Sequence, residues 1–271
     1  MLPIMISRYW ADHSSRALAG MDRSRLVAVL PVAAIEQHGP HLPLSVDTDI
    51  VNGIVARTAS LLPASSRVLF LPTLAIGKSN EHARYPGTLT LSAETLMRLW
   101  HEVGDSVAAA GVRKLVLFNS HGGQSAAMDL VARDLRVRHG MLVVASNWYM
   151  LGLPEGLFSA PEMRHGIHAG EIETSLMLAL RPDLVNMDEA RDFASAVATR
   201  EADFPTLGVV TSNRIGWQTQ DLNPLGACGN AARATAETGQ RVLEHVAARF
   251  VEVLDEVERF PLDALANPPA W

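Results

Sequence analysis

The sequence is poor in cysteine, in basic residues and in long apolar runs. Its single cysteine, Cys228, excludes an intramolecular disulfide framework and suits the reducing cytoplasm. Lysine and arginine total 23 against 29 acidic residues, and this formal net charge of −6 gives nucleic acid no electrostatic attraction. The run at residues 26–35 is about half of the roughly 20 residues that a membrane-spanning helix needs. We therefore expect no nucleic-acid partner and no membrane partner.

The motifs of several common enzyme classes are also absent. There is no G-x-G-x-x-G after a predicted strand, no phosphate loop, no H-E-x-x-H and no G-x-S-x-G elbow. Cys228 has no adjacent base in sequence, so we do not expect it to be a thiol nucleophile. Because no repeat, low-complexity tract or linker composition interrupts the chain, residues 1–271 are predicted to form a single domain.

The hydrophobic pattern alternates between strand-like and helix-like segments. Apolar runs predict strands at residues 26–35, 68–71, 114–118 and 141–145. Helices are predicted at 49–62, from Ser92 to Gly111, after Gly123 through Met128 and Leu135 to a close at Gly140, at 171–179, and in a final helix that Asn230 caps. Residues 149–168 are expected to be loop, and 184–228 irregular with some extended pairing. This alternation predicts an α/β fold with a parallel sheet and helices on both faces.

A dense group of potential metal ligands follows the first predicted strand directly. It consists of Glu36, His38, His41, Asp47 and Asp49. Carboxylates beside imidazoles suit a divalent metal, and a carboxylate that bridges two ions suits a hydrolytic pair. Asp47 is the bridging candidate. Asp49 is expected to support the first turn of the next helix, and His41 to be a supporting residue rather than a ligand.

Two further clusters carry candidate chemistry. His121 follows the third predicted strand, where ligands of parallel sheets gather, but a structural role is equally open for it. His165, His168, Glu171 and Glu173 form the other cluster. In a helix Glu171 and Glu173 are about 200° apart, so only one of them is expected to face a site.

Taken together, these clusters resemble the creatininase family of amidohydrolases. The matching segments, which span about residues 26–185, are Glu36-Gln-His-Gly-Pro-His-Leu-Pro-Leu-Ser-Val-Asp-Thr-Asp49, Tyr85-Pro-Gly-Thr-Leu-Thr90, Asn119-Ser-His-Gly-Gly123 and His168-Ala-Gly-Glu-Ile-Glu-Thr-Ser175. The resemblance implies a three-layer αβα sandwich with a mainly parallel central sheet. It also implies a homo-oligomer, often a hexamer, with two divalent ions, zinc or manganese, in each subunit.

The resemblance further implies a role for each matched residue. Glu36 and His121 would hold one ion, His38 and Glu173 the other, and Asp47 would bridge them. His168 would carry a proton to the leaving nitrogen, so that His168 and Glu173 form the catalytic set. The implied reaction is attack of a metal-activated water on an amide carbonyl. The roles of Glu171, His41 and His165 stay open.

Departures from the creatinine-hydrolysing members affect the expected substrate. Those members carry a glutamate where this chain has Gly123, and a tryptophan where it has Arg164. A possible guanidinium in place of an aromatic lid favours a more polar or anionic substrate than creatinine. Trp148 could supply an aromatic wall, with core packing as the alternative.

The stretch before Tyr85 lies where family members line the substrate pocket. Ser79 and His82 are the pocket candidates there, whereas Lys78 and Glu81 are expected to be solvated loop residues.

The predicted function is hydrolysis of a C–N bond in a small cyclic amide, a formamide or a peptide-like substrate. Three alternatives stay open: creatinine amidohydrolase activity proper, a non-catalytic binding or scaffold subunit of the same fold, and a dinuclear phosphoesterase. The motif order does not resemble a phosphoesterase, and a scaffold subunit predicts a missing ligand or proton shuttle, yet all are present.

Overall fold

The structure is a computed structural model that describes residues 7–209 and 213–265. Its centre is a four-stranded sheet with the order β2-β1-β3-β4, in which every neighbouring pair is parallel. Two-residue pairings β5-β8 and β6-β7 lie outside it. The strands are β1 (Val27–Val32), β2 (Val68–Phe70), β3 (Lys114–Asn119), β4 (Leu142–Asn147), β5 (Asp192–Phe193), β6 (Leu207–Gly208), β7 (Asn213–Arg214) and β8 (Gly229–Asn230).

Helices join the strands and cover both faces of the sheet. They are α1 (Ser15–Ala19), α2 (Val46–Leu61), α3 (Ala93–Ala109), α4 (Ser125–His139), α5 (Ala160–His165), α6 (Glu171–Leu180), α7 (Ala196–Arg200), α8 (Thr219–Leu222) and α9 (Ala236–Arg259). Short 3-10 helices at Asn80–His82 and Gly122–Gln124 lie in the loops that follow β2 and β3.

Successive side chains of β1 point into two different cores. Val27 and Val29 pack in a cluster with apolar residues of α2, α6 and α9. Ala28 and Leu30 pack on the other face, against α3 and α4. Because a strand places alternate side chains on opposite faces, a fully apolar strand must be covered on both. This arrangement confirms the predicted αβα sandwich with a parallel central sheet.

Several predicted boundaries are wrong. The first strand ends at Val32 rather than residue 35, and α2 begins at Val46 rather than 49. Residues 149–168 are not all loop, because Ser159 accepts a hydrogen bond from Glu162 N and so starts α5. Asn230 does not cap the final helix.

The actual cap of α9 is Thr235, whose side chain accepts a hydrogen bond from Thr238 N. Asn230 is engaged in β8 instead, where it pairs with Asp192. Two other predicted helix ends are confirmed: Ser92 accepts from Thr95 N, and Gly140 ends α4 with a φ of 65°. Over residues 7–209 and 213–265, no helix combines the length and apolar character needed to cross a membrane.

Candidate metal centre

Two neighbouring strands deliver polar side chains to one edge of the sheet. Val32 of β1 lies opposite Asn119 of β3, so the two strands end level with each other. Glu36 and His38 follow β1 along the chain, and His121 follows β3. The carboxyl ends of parallel strands meet at one edge, and there the three side chains come together. All three residues are at most 4% exposed.

Two helices add carboxylates from their first turns. Asp47 lies in the first turn of α2 and Glu173 in the first turn of α6. The unpaired N–H groups and positive dipole of a helix N-terminus stabilise such carboxylates. Glu173 Oε2 accepts a hydrogen bond of 2.5 Å from Ala169 N. Ala169 has a φ of 54°, a left-handed conformation that turns the chain sharply between His168 and α6.

The potential ligand atoms form three groups among the described residues. One consists of Glu36, His38 and His168, and the other two share one carboxylate. Of these two, one is Glu36, Asp47 and His121, the other is His38, Asp47 and Glu173, and the ligand atoms of each lie within 4.8 Å of one another. The two groups that share Asp47 consist of the residues that the family resemblance assigns to the two ions.

The individual spacings suit a coordinated ion. Asp47 Oδ2 is 3.6 Å from His121 Nδ1, and Asp47 Oδ1 is 3.8 Å from His38 Nε2. Glu36 Oε2 lies 3.2 Å from His121 Nδ1. Metal bonds of about 2.1 Å in tetrahedral geometry place ligand atoms roughly 3.4 Å apart. The observed gaps therefore need only small adjustments.

Three of these ligand atoms are buried without a hydrogen-bond partner among the described residues. They are Glu36 Oε2, His38 Nε2 and Asp47 Oδ2. A buried polar atom without a partner costs about 1–3 kcal/mol, and a charged one costs more. Three such atoms directed at one small region are what a divalent-cation site requires. The residues present therefore fit the metal ions that the sequence predicts.

The pKa values of the clustered side chains also favour a bound divalent cation. Burial and the neighbouring Glu36 carboxylate raise the pKa of Asp47 well above its ordinary value, and burial also raises the pKa of Glu173. Although burial disfavours the charged imidazole, attraction to Glu36 raises the pKa of His121 well above its ordinary value. The buried carboxylates Glu36, Asp47 and Glu173 thus outnumber the one neighbouring imidazole whose pKa is raised, and a divalent ion would supply further positive charge.

His168 stands beside the two groups in a defined tautomer. Its Nε2 is 2.8 Å from the carbonyl oxygen of Gln37, which can only accept a hydrogen bond. Nε2 therefore carries the proton, and Nδ1, 3.9 Å from Glu36 Oε1, is left with a lone pair on the cluster side. The His168 ring centroid lies 4.2 Å from that of His38.

Ser79 and His82 lie behind the ligand groups and are buried. His82 Nδ1 accepts a 2.8 Å hydrogen bond from the Gln37 amide, so its Nε2 is the protonated nitrogen, 3.3 Å from Glu36 Oε1. Ser79 Oγ is 3.4 Å from His121 Nε2. The structure thus brings both residues to the cluster, where they contact ligand side chains.

Comparison with known proteins places this geometry in a family. The family model described as creatininase, creatinine amidohydrolase, matches residues 11–254. The chain belongs to the creatininase family. That model covers every potential ligand described above.

Three relatives show the range of substrates named in this family. A creatinine amidohydrolase of Pseudomonas putida is 32% identical over 255 residues, which cover 87% of this chain and 89% of that protein. A mycofactocin precursor peptide peptidase of Mycobacterium tuberculosis is 35% identical over 221 residues, 79% of this chain and 78% of that protein. A 3-dehydro-scyllo-inosose hydrolase of Thermotoga maritima is 26% identical over 259 residues, which cover 89% of this chain and 80% of that protein. The chain is a creatininase-family hydrolase.

Solved creatininase structures share the fold. A manganese creatininase is 25% identical with a TM-score of 0.73, covering 92% of this chain and 98% of that one. A mutant creatininase of the Zn-Zn type is 26% identical with a TM-score of 0.72, covering 93% and 98%. Structures of this family therefore carry manganese or zinc.

The aromatic and basic pocket candidates, Trp148 and Arg164, both have contacts away from the ligand groups. Trp148 is 3% exposed and belongs to the core against α2 and α9. Arg164 pairs with Glu201 at 2.6 Å, and its side chain is 67% exposed. Trp217, which sequence reasoning did not single out, packs edge-on against His82 with ring centroids 6.4 Å apart. Trp217, in the segment after β7, rather than Trp148, is therefore the tryptophan that packs against a residue beside the ligand groups.

His41 and Asp49 have supporting contacts. His41 Nε2 hydrogen-bonds Thr174 Oγ1 at 2.9 Å, and its ring stacks on Phe193. Asp49 Oδ2 accepts a 2.6 Å hydrogen bond from Ser45, just before α2. Neither residue belongs to a potential ligand group among the described residues. These contacts tie the loop after β1 to α6 and to the start of α2.

His165 and Glu171 likewise point to other partners. His165 Nε2 lies 3.6 Å from Glu201, and Glu171 Oε2 lies 3.6 Å from Arg233. The expectation that only one glutamate of the pair faces the cluster is confirmed, because Glu173 faces it and Glu171 does not.

Glu162 is a supporting residue that sequence reasoning missed. It is 4% exposed, and its Oε1 and Oε2 accept hydrogen bonds from Glu171 N at 2.7 Å and Asn230 N at 2.8 Å. A Cβ at Gly166, Gly170 or Gly229 would lie within 2.3 to 2.7 Å of Oε1, so these glycines leave room for the carboxylate. The sequence signal that could have revealed Glu162 is the pair of glycines, Gly166 and Gly170, that flank His168.

Proposed function

We propose that this protein is a metal-dependent amidohydrolase with two divalent ions in each subunit, zinc or manganese. Glu36 and His121 would hold one ion, His38 and Glu173 the other, and Asp47 would bridge them. The observation that carries the proposal is the pair of ligand groups sharing Asp47, with buried ligand atoms that have no other partner among the described residues.

The chemistry that the ions would supply is a water ionised near neutral pH and a polarised carbonyl. The remaining work falls to residues of the chain. An amide nitrogen is too basic to leave as an anion, so it needs a general acid, and imidazole has a suitable pKa. His168 meets this need because its Nδ1 lone pair faces the cluster and can take a proton and pass it on. Gln37 keeps the ring in this tautomer through Nε2.

The burial of the cluster also supports amide hydrolysis. Glu36, His38 and Asp47 are at most 2% exposed, and His168 is 7% exposed. A site shielded from bulk water strengthens every electrostatic interaction with a developing oxyanion. His82, with its Nε2 proton directed at Glu36, holds this ligand carboxylate in place.

We propose a small cyclic amide, a formamide or a peptide-like molecule as substrate, rather than creatinine. The relatives named for creatinine and for a precursor peptide are similarly close, at 32% and 35% identity. Two features favour a different pocket: the carboxylate beside His121 comes from Glu81 rather than from position 123, and Trp217 rather than Trp148 packs against His82. Ser79 and His82 would line this pocket beside the ligand residues Glu36 and His121. Arg164 reaches the pocket only if its pair with Glu201 opens.

The proposed assembly rests on the family resemblance, and the proposed location rests on the single cysteine, Cys228, which suits a reducing compartment. We propose a homo-oligomer, a hexamer in many family members, that works in the cytoplasm on a small-molecule substrate. Light scattering of the purified protein gives the subunit number directly.

A substrate panel with a matched pair of variants tests the function. Cyclic ureas, lactams, formamides and short peptides are assayed for ring opening or amine release, with zinc or manganese supplied. His168→Ala is expected to lower kcat about 10²- to 10⁴-fold, the range for a lost general acid–base group. His165→Ala, whose ring pairs with Glu201 away from the cluster, is expected to leave kcat unchanged.

Three results would contradict the proposal. Equal activity of His168→Ala and the unmodified enzyme would remove the proton shuttle, and no turnover of any panel substrate by either protein would favour the scaffold interpretation. Phosphate release from phosphoesters without any amide hydrolysis would instead favour a dinuclear phosphoesterase. Creatinine as the best substrate of the panel would overturn the substrate proposal while leaving the reaction class intact.

A further inference from the structure

A second glutamate, Glu81, approaches the cluster from a different loop. It lies in the 3-10 helix Asn80–His82, is 9% exposed, and places Oε1 3.4 Å from His121 Nε2. The sequence had predicted a solvated loop residue here, and its burial shows that this prediction was wrong. Glu81 belongs to neither ligand group that shares Asp47.

The surroundings of His121 Nε2 fix which ring nitrogen can bind a metal. Nε2 lies 2.9 Å from the Lys78 carbonyl oxygen and 3.4 Å from Glu81 Oε1, and both oxygens only accept. Nε2 therefore carries a proton. In the neutral ring that a metal ligand requires, Nδ1 keeps the lone pair and faces Glu36 Oε2 at 3.2 Å.

Gly123 creates the space that Glu81 fills. A Cβ at position 123 would lie 1.7 Å from Glu81 Oε1 and 2.6 Å from His121 Nε2. Gly123 is not among the glycines with positive φ, so its backbone does not require glycine. The requirement is one of room, and a side chain at position 123 excludes Glu81 from its observed position.

We propose that Glu81 is a positioning residue that orients His121 as a metal ligand, and that Gly123 exists to admit its carboxylate. A carboxylate beside the far N–H of a ligand imidazole helps to fix the ring and makes the other nitrogen a better donor. Here Glu81 Oε1 lies 3.4 Å from that nitrogen, next to the Lys78 carbonyl oxygen that accepts its hydrogen bond at 2.9 Å. This inference rests on the proposed function, because it assigns Glu81 to the same metal site. It explains how a chain without a side chain at position 123 still places a carboxylate beside His121.

A double-mutant cycle read by zinc affinity tests the inference. The dissociation constant of Zn²⁺ is measured by competition with a chromophoric chelator for the full chain, Glu81→Ala, Gly123→Ala and the double variant. Each single variant is expected to bind zinc about 10- to 100-fold more weakly. The double variant is expected to lose less than the sum of the two single losses, because Gly123→Ala acts in part by displacing Glu81 and in part by crowding His121 Nε2, which a Cβ at position 123 would approach to 2.6 Å.

Gly122→Ala is the matched control. A Cβ there would find only Tyr149 Oη, at 3.8 Å, so zinc affinity should not change. Thermal unfolding of the metal-free variants checks that they are folded. If Gly123→Ala fails to fold, Glu81→Ala and Glu81→Gln decide the matter, with the glutamine variant expected between the alanine variant and the unmodified chain.

The outcomes are separable. Zinc affinity within about 3-fold of the unmodified chain in Glu81→Ala, or fully additive losses in the double variant, would overturn the role of Glu81 while leaving the metal site intact. Absence of zinc binding by the unmodified chain would overturn the proposed function, and the role of Glu81 with it.

Discussion

Removal of the Glu162 carboxylate should loosen the segment that carries His168. This side chain links α5 to the N-terminus of α6 and to β8, because it accepts from Glu171 N and Asn230 N. His168 and Glu173 lie on either side of Glu171 in sequence. A change at Glu162 therefore reaches the candidate metal centre without touching any ligand.

The magnitude follows from the two backbone N–H groups that Glu162→Ala leaves buried and unpaired. Each unsatisfied group costs about 1–3 kcal/mol, so the variant should lose about 2–6 kcal/mol of unfolding free energy. Water that enters the vacated space reduces the loss toward the lower end. Glu162→Gln keeps the volume and one acceptor oxygen, and should lose about half as much.

Guanidinium unfolding followed by circular dichroism measures both variants in the presence of excess chelator, so that metal binding does not contribute. The exposed Glu155, in the loop before α5, provides the control Glu155→Ala, which should change stability by no more than about 0.5 kcal/mol. A loss below about 1 kcal/mol in Glu162→Ala would refute the reasoning, because two buried N–H groups without hydrogen-bond partners should cost more than that.

Two further predictions concern buried titratable groups. Burial raises the pKa of Cys228 to about 11, so the native protein should resist thiol reagents at neutral pH and react once unfolded; rapid native labelling would contradict this. Burial lowers the pKa of His41 to about 4 from 6.5, so the unfolded chain alone takes up this proton as the pH falls between these values. Stability should decline over that window, by about 3 kcal/mol from His41, and less steeply in His41→Gln; equal slopes would count against it.

The sheet and its two covering layers could be predicted because a strand that is buried on both faces is apolar at every position. The run at residues 26–35 predicted β1, although the strand ends at Val32 and Ile35 forms only an isolated bridge with Leu89. The short helix α5 was not predicted, because its start depends on a single cap, Ser159, rather than on a periodic pattern of hydrophobic residues. Asn230 was a poor choice of cap because its suitability in sequence says nothing about pairing with a distant strand.

At the site, the ligand candidates were predictable because they follow strand ends or open helices, positions that the chain order reveals. Glu81 and Glu162 were not, since their partners, His121 and the N–H group of Asn230, are distant in sequence. The polar character of Glu81 indicated a loop, and only the fold shows that it is buried. Trp217 was missed for the same reason, because nothing in its neighbourhood marks it as a partner of His82.

The metal content of the purified protein tests the central claim most directly. After loading with zinc or manganese and removal of free metal, elemental analysis should find about two divalent ions per chain, as a two-metal hydrolytic site requires. Asp47→Ala should reduce both sites together, because both ligand groups include this carboxylate. Fewer than about one bound ion per chain, together with no activation by added zinc or manganese, would contradict the account.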